Sequence, residues 1–172
     1  MTVRPSVLGD ARAVAAVHIS SWRGAYPGLL PAELLDSLSL AGRERQWRRW
    51  LAPGGERSRT LVAESNGAVV GFSTLAIECR DADEPEGVGE IPALYVRPRS
   101  WGCGAGTALM DASVAQMRAG GCRQAILWML EGNARAASFY AGRGWRADGG
   151  RRASQYFPEV GGLVEVRFRR AL

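Results

Sequence analysis

The stretch Leu94-Tyr95-Val96-Arg97-Pro98-Arg99-Ser100-Trp101-Gly102-Cys103-Gly104-Ala105-Gly106-Thr107 leaves this chain few choices. It ends a strand, spends glycines on a tight turn and launches a helix. Gly102, Gly104 and Gly106 let the main chain approach a ligand closely, and the first turn of the new helix offers unpaired N–H groups and a positive dipole end. The segment therefore reads as an anion cradle, and a pyrophosphate is the anion it suits.

Spelling separates the common glycine-rich loops. A Walker A loop ends in Gly-Lys-Ser/Thr so that a lysine and a hydroxyl reach phosphates and magnesium, and this chain has no lysine. A dinucleotide fingerprint places its third glycine at the sixth position of the motif and follows a first strand, with an acid about 20 residues on. Counted from Gly102 the sixth position is Thr107, and the loop lies past the middle of the chain. What remains is Arg99-x-x-Gly102-x-Gly104.

A second pattern lies downstream. Ala125 to Leu130 reads as a buried strand, Asn133 to Tyr140 as a helix ending in Phe139-Tyr140, and Gly144-Trp145 follows. With Arg99-x-x-Gly102-x-Gly104, this order resembles the GNAT superfamily of N-acetyltransferases, whose acetyl-CoA signature is Gln/Arg-x-x-Gly-x-Gly/Ala. In that family a strand splayed from the pyrophosphate-binding strand is followed by an asparagine, a helix closing in Phe-Tyr, and Gly-Phe opening the next strand. Trp145 stands here where Phe is commoner. The resemblance implies an α/β (α+β) fold: a mixed, mostly antiparallel twisted sheet of about seven strands with helices on both faces, in a single domain over 1–172.

The same resemblance assigns roles. Acetyl-CoA is the expected co-substrate, without a metal, and transfer to an amine is direct, in a ternary complex. Main chain and side chains of Leu94, Tyr95, Val96, Arg99, Gly102, Cys103, Gly104, Ala105, Gly106, Thr107, Asn133 and Tyr140 would meet it. A bulge expected near Leu94-Tyr95 would free the Leu94 N–H for the acetyl oxygen. An ammonium must lose a proton before it attacks a thioester, and Glu90, four residues before Leu94, is the expected base, directly or through water, with Glu78 and Asp81 in reserve. Tyr140 is the expected acid, stabilising or protonating the departing thiolate. Trp22 and Tyr26, between the first two helices, and Glu78 are candidates for the acceptor pocket. A coenzyme A-binding sensor with a degenerate acceptor site would carry the same cofactor motifs. The resemblance also allows a homodimer.

Composition narrows the rest. At 172 residues, 47% hydrophobic and 23% charged, the chain suits one globular domain. No apolar run nears 18 residues and no signal-like segment is present, so the expected location is the cytoplasm, with no membrane partner. Cys79, Cys103 and Cys122 lack metal-ligand spacing and are expected as free thiols. All 22 basic residues are arginine, the net charge is +5 and the pI is about 9.7. No nucleic-acid motif accompanies that charge, so no nucleic-acid partner is expected. Glu78, Asp81, Asp83, Glu84, Glu86 and Glu90 crowd one stretch, either a solvated loop or an acidic rim that draws in a cationic amine.

Periodicity supplies the elements. Thr2 to Arg4 reads as a strand, and Asp10 as the N-cap of a helix through about Trp22. A helical stretch starts at Pro31 and continues through Trp47, Trp50 and Leu51. Thr60 to Glu64 and Val69 to Cys79 are strands joined by Asn66-Gly67, a hairpin turn. Gly89 to Val96 is a strand, Gly104 to about Ala119 a helix stopped by Gly120, and Leu163 to Arg169 a last antiparallel strand. His18, on the apolar face of the first helix, reads as a packed, satisfied imidazole, and Trp47, Trp50 and Trp128 as core. The Cys103 side chain is interchangeable in the motif.

Overall fold

In the computed structural model, which describes residues 1–52, 59–154 and 160–172, the elements run β1 (Thr2–Pro5), α1 (Ala11–Ala25), α2 (Ala32–Asp36), α3 (Leu40–Leu51), β2 (Arg59–Ser65), β3 (Ala68–Ala76), β4 (Val88–Val96), α4 (Ala105–Ala119), β5 (Gln124–Leu130), α5 (Ala134–Ala141), β6 (Arg146–Ala153) and β7 (Val164–Ala171). The strands form one sheet in the order β1-β2-β3-β4-β5-β7-β6. Every neighbouring pair is antiparallel except β4 and β5. Asn66 and Gly67 turn the β2–β3 hairpin with φ of 49° and 71°, the twist that a two-residue turn of this kind requires.

One face of the sheet packs against α4 and α5 through Leu109, Met110, Met117, Leu127, Tyr140 and Trp145. The other packs against α1 and α3 through Val14, Val17, Trp47 and Phe72. A third cluster, Trp22, Tyr26, Leu30, Leu35 and Leu130, lies where α1 runs into α2.

The parallel pair shapes the site. β4 and β5 pair only at Val88 with Gln124, Gly89 with Ala125 and Glu90 with Ile126. Beyond Glu90, β4 stays with β3 to Val96 while β5 follows β7. The two strands therefore part, and a cleft opens between them.

Several sequence expectations need correction. The helix expected from Pro31 to Leu51 is two helices, because Ser37 turns its hydroxyl onto the Leu34 carbonyl (2.8 Å) and Ser39 caps α3 by accepting from the Gly42 N–H (3.2 Å). Short hydroxyl side chains compete for the main chain in this way and break helices. The bulge in β4 is not at Leu94-Tyr95. Thr74 faces Ala93 and Ala76 faces Glu90, so the extra residue falls at Ile91–Pro92. Pro92 has no N–H to give the ladder, and a bulge is where a strand tolerates it. Asp10 precedes α1, but its carboxylate serves the turn before it, accepting from the Val7 N–H (2.8 Å) and from Arg4 (2.8 and 2.9 Å).

Candidate active site

The cleft between β4 and β5 encloses about 330 Å³, a volume suited to part of a small ligand. Its β4 wall is Ile91 to Val96, and Trp128 and Met129 of β5 stand opposite. The ladder fixes which main-chain groups face it. The Arg97 N–H donates to the Val70 carbonyl at 2.8 Å, so 97, 95 and 93 spend their hydrogen bonds on β3. By the alternation of an antiparallel pair, Leu94 and Val96 turn theirs away from β3, into the cleft. The Val96 carbonyl is taken by the hydroxyl of Ser21 (3.0 Å) and the indole N–H of Trp101 (2.7 Å). Ladder alternation alone turns the Leu94 N–H into the cleft, without a bulge at that residue.

One end of the cleft is the cradle. Gly102 and Gly104 hold φ of 75° and 85°, values that glycine takes at no steric cost. Gly104 caps α4, whose first hydrogen bond runs from the Ala108 N–H to the Gly104 carbonyl (3.0 Å). The N–H groups of Ala105, Gly106 and Thr107 lie ahead of that bond, at the positive end of the helix. Gly106 is small for another reason: a methyl there would stand 3.1 Å from the Phe139 ring. Ser100, Trp101, Gly102, Gly104, Gly106 and Thr107 line the cleft, whereas Arg99 is exposed and outside the lining. Cys103 is exposed with a free thiol, and Ala105 is buried; neither side chain lines the cleft.

Two arginines that the sequence reading passed over complete this end. Arg135 lies 3.9 Å over the Trp101 ring, and Arg143 lies 3.9 Å over the Phe139 ring. Arg143 also donates to the Phe139 carbonyl (3.1 Å) and to the Thr107 hydroxyl, while its buried Nε has no partner among the described residues. Arg135 and Phe139 lie about one turn apart on α5, and Arg143 follows in the turn beyond its end. Asn133 caps α5, its Oδ1 accepting from the Ala136 N–H at 3.1 Å, and also lines the cleft.

Tyr140 lines the cleft midway, its ring among Phe139, Trp145 and Phe168. Burial pushes its phenol above the ordinary value, and the neighbouring Tyr95 phenol adds to the shift. It keeps its proton at any working pH.

The other end is aromatic. Tyr26 and Tyr95 bring their hydroxyls to 3.3 Å, and both line the cleft. Trp22 does not line it; buried, with its ring 5.9 Å from that of Tyr26, it backs the pocket wall. His18 stacks behind Tyr95 at 5.0 Å and accepts at Nδ1 from the Trp47 indole (3.2 Å). Its Nε2 has no partner among the described residues, so it is only half satisfied. Trp128, read from sequence as core, lines the cleft instead. Its indole donates to Asp81 (2.8 Å), and Arg152 lies 4.1 Å over its ring, held in turn by Glu165 (2.7 Å) and Asp81 (3.1 Å).

The acidic stretch divides: Glu78, Asp83 and Glu86 are exposed, while Asp81, Glu84 and Glu90 are held by arginines. Glu84 accepts from Arg167 (2.6 Å) and Arg169 (2.9 Å), and Arg169 holds its carboxyl below the usual range. Glu90 is 2% exposed and accepts from Arg80 at its Nε (2.9 Å), Nη2 (2.8 Å) and main-chain N–H (3.2 Å). It does not line the cleft, and nor does the exposed Glu78. Among the described residues no cluster of His, Cys, Asp and Glu is placed to hold a metal, and no helix is long and apolar enough to cross a membrane.

Comparison with known proteins places this arrangement. Residues 20–145 match the model of the acetyltransferase (GNAT) family. The chain belongs to that family. An uncharacterized N-acetyltransferase of Bacillus subtilis, YuaI, is 30% identical over 135 residues, covering 77% of this chain and 73% of that protein. A mycothiol acetyltransferase of Thermobispora bispora is 32% identical over 111 residues, 62% of this chain but only 36% of that longer protein. The GNAT fold itself is matched by the paiA N-acetyltransferase of Thermoplasma acidophilum, solved in complex with coenzyme A, at a TM-score of 0.74 and 18% identity over the whole of both chains.

Proposed function

We propose that this protein is an acetyl-CoA-dependent N-acetyltransferase that moves an acetyl group to a primary amine by direct attack in a ternary complex. The observation that carries this reading is the parting of β4 and β5 beyond Glu90, with a glycine cradle at one end of the cleft and Tyr140 in its lining. The cradle suits coenzyme A, with which the Thermoplasma acidophilum protein of the same fold was solved. The N–H groups of Ala105, Gly106 and Thr107 would meet its pyrophosphate, Arg135 and Arg143 would add positive charge, and the edge of β4, through the Leu94 main chain and the Val96 N–H, would pair with its amide arm.

Bound acetyl-CoA supplies a thioester. The Leu94 N–H donates to the acetyl oxygen and stabilises the charge that grows there. The ammonium first gives a proton to water; the amine nitrogen then bonds the acetyl carbon, the C–S bond breaks with its electron pair on sulfur, and the nitrogen sheds a second proton to water. Glu90 serves that water at one remove, because Arg80 occupies its carboxylate. Tyr140 stabilises the thiolate by hydrogen bonding. A phenol raised above pKa 10 does not hand its proton outright to a thiolate of reference value about 8.5, so solvent completes the protonation.

The absence of a carboxylate from the described cleft lining favours a second reading, a coenzyme A sensor without an acceptor. Thiol release from acetyl-CoA across an amine library decides between them. Transfer predicts amine-stimulated release that Tyr140→Phe lowers roughly 10²-fold with little change in acetyl-CoA affinity, and that Glu90→Gln lowers near neutral pH but not at high pH. Binding without release by any amine would establish the sensor.

A further inference from the structure

β4 and β5 part beyond Glu90, yet the segments that leave their ends meet again across the cleft. Arg135, in the first turn of α5, lays its guanidinium 3.9 Å over the ring of Trp101, in the loop that follows β4, and both side chains line the cleft. The indole is held from two further sides. Its N–H donates to the Val96 carbonyl at 2.7 Å, and α1 packs so close that a methyl on Gly24 would stand 3.1 Å from the ring. Glu131, the carboxylate nearest to Arg135 in sequence, is spent on Arg151 at 2.6 and 2.8 Å. We propose that Arg135, held flat on Trp101, is a clasp for a phosphate group of coenzyme A and sets how fast the cofactor leaves, with Trp101 as its positioning residue. This rests on the coenzyme A part of the reading above, which the transferase and the sensor share.

A guanidinium offers two separate surfaces. Its face stacks on a ring, while its five N–H groups point outward in its plane. Lying on Trp101 therefore costs Arg135 none of its donors, and a phosphate is gripped in bidentate fashion with the stack still made. A long side chain fixed before binding also loses less freedom when the ligand arrives. Arg135 is exposed and Trp101 half-buried, so the pair lies on the solvent side of the cleft, with one partner from each of its walls. A cofactor that leaves the cleft must first break the phosphate contact, so the effect of the clasp falls on the dissociation rate. Coenzyme A carries phosphate in two places, the pyrophosphate and the 3′-phosphate, and the guanidinium chemistry is the same at either.

The test is stopped-flow and competition binding of acetyl-CoA, dephospho-acetyl-CoA, which lacks the 3′-phosphate, and acetyl-pantetheine, which has no phosphate. Arg135→Ala should weaken acetyl-CoA roughly 10-fold, mostly through faster dissociation, and leave acetyl-pantetheine unchanged. Arg135→Lys should restore only part of the loss, because a point charge has no fork. A loss that persists with dephospho-acetyl-CoA assigns the pyrophosphate, and a loss that disappears with it assigns the 3′-phosphate; either supports the clasp. Trp101→Leu should weaken acetyl-CoA about 3-fold when Arg135 is present and not when it is alanine, and Trp101→Phe, which keeps a ring, should lose less. No loss in Arg135→Ala, or an equal loss of acetyl-CoA and acetyl-pantetheine, would overturn the clasp while leaving coenzyme A binding intact. Equal cost of Trp101→Leu in both backgrounds would overturn the positioning role. No binding of acetyl-CoA by the wild type would overturn the underlying reading instead.

Discussion

Burial decides what His18 can do. Desolvation first, and the Arg43 charge second, hold its imidazole well below the ordinary value, so it is neutral in the native protein. The unfolded chain binds a proton there near pH 6.5, and the folded protein does not until well below that. The stability tied to this group is complete above about pH 6.5 and is lost as the pH falls below it, by about 1.4 kcal/mol per pH unit, down to the depressed native value. Urea unfolding at pH 7.0 and 5.5 should show roughly 1 kcal/mol more loss for the wild type than for His18→Phe. An identical loss in both would mean that His18 titrates normally. Other single residues divide by how locally their position is fixed. Tyr140 was singled out by the family resemblance, and it stands in the cleft lining because α5, capped at Asn133, carries it there. The place of Trp128 was not legible, because an apolar residue in a strand can face a core or a cleft with the same spelling, and only the divergence of a distant partner strand decides which.

At the level of elements, the strong periodic segments α1, α4 and β2–β5 lie close to where the sequence put them, and the exceptions have local causes. Two serines divide the 31–51 helix. β6 is a largely exposed edge strand carrying Gly149 and Gly150, with a register shift between Ala147 and Arg151. Such a strand shows no alternation to read; its start at Gly144-Trp145 was implied only by family resemblance. The turn that follows α5 carries the clearest cofactor prediction at this level. Arg143 keeps a buried, unpartnered Nε at the cradle, and a charge-assisted hydrogen bond contributes about 1.5–3 kcal/mol. Arg143→Ala should therefore weaken acetyl-CoA binding about 10-fold or more while leaving kcat within a few-fold, read by calorimetry and steady-state kinetics. Unchanged affinity would remove Arg143 from the site.

Across the whole molecule, arginine has two separate tasks. On the sheet face beyond the cleft, Arg152, Arg167 and Arg169 pin Asp81, Glu84 and Asp148. These pairs are partly buried, where desolvation offsets much of the attraction, so this network serves mainly to lay the acidic stretch over β5 and β7 and to hold Trp128. The pairing of Arg152 with Asp81 and of Arg167 and Arg169 with Glu84 was invisible in sequence because these partners lie 71 to 85 residues apart. At the cradle the charge is left for a ligand. Gly104 lets backbone and charge be tested apart, since its φ of 85° is tolerated by asparagine better than by most residues, and aspartate at a helix cap favours the helix while repelling a phosphate. Calorimetric titration of acetyl-CoA into wild type, Gly104→Asn and Gly104→Asp is the decisive measurement. Binding by the wild type, a modest loss in Gly104→Asn and no detectable binding by a still-folded Gly104→Asp are the expected results; wild-type affinity in Gly104→Asp would contradict a pyrophosphate seated on this cradle.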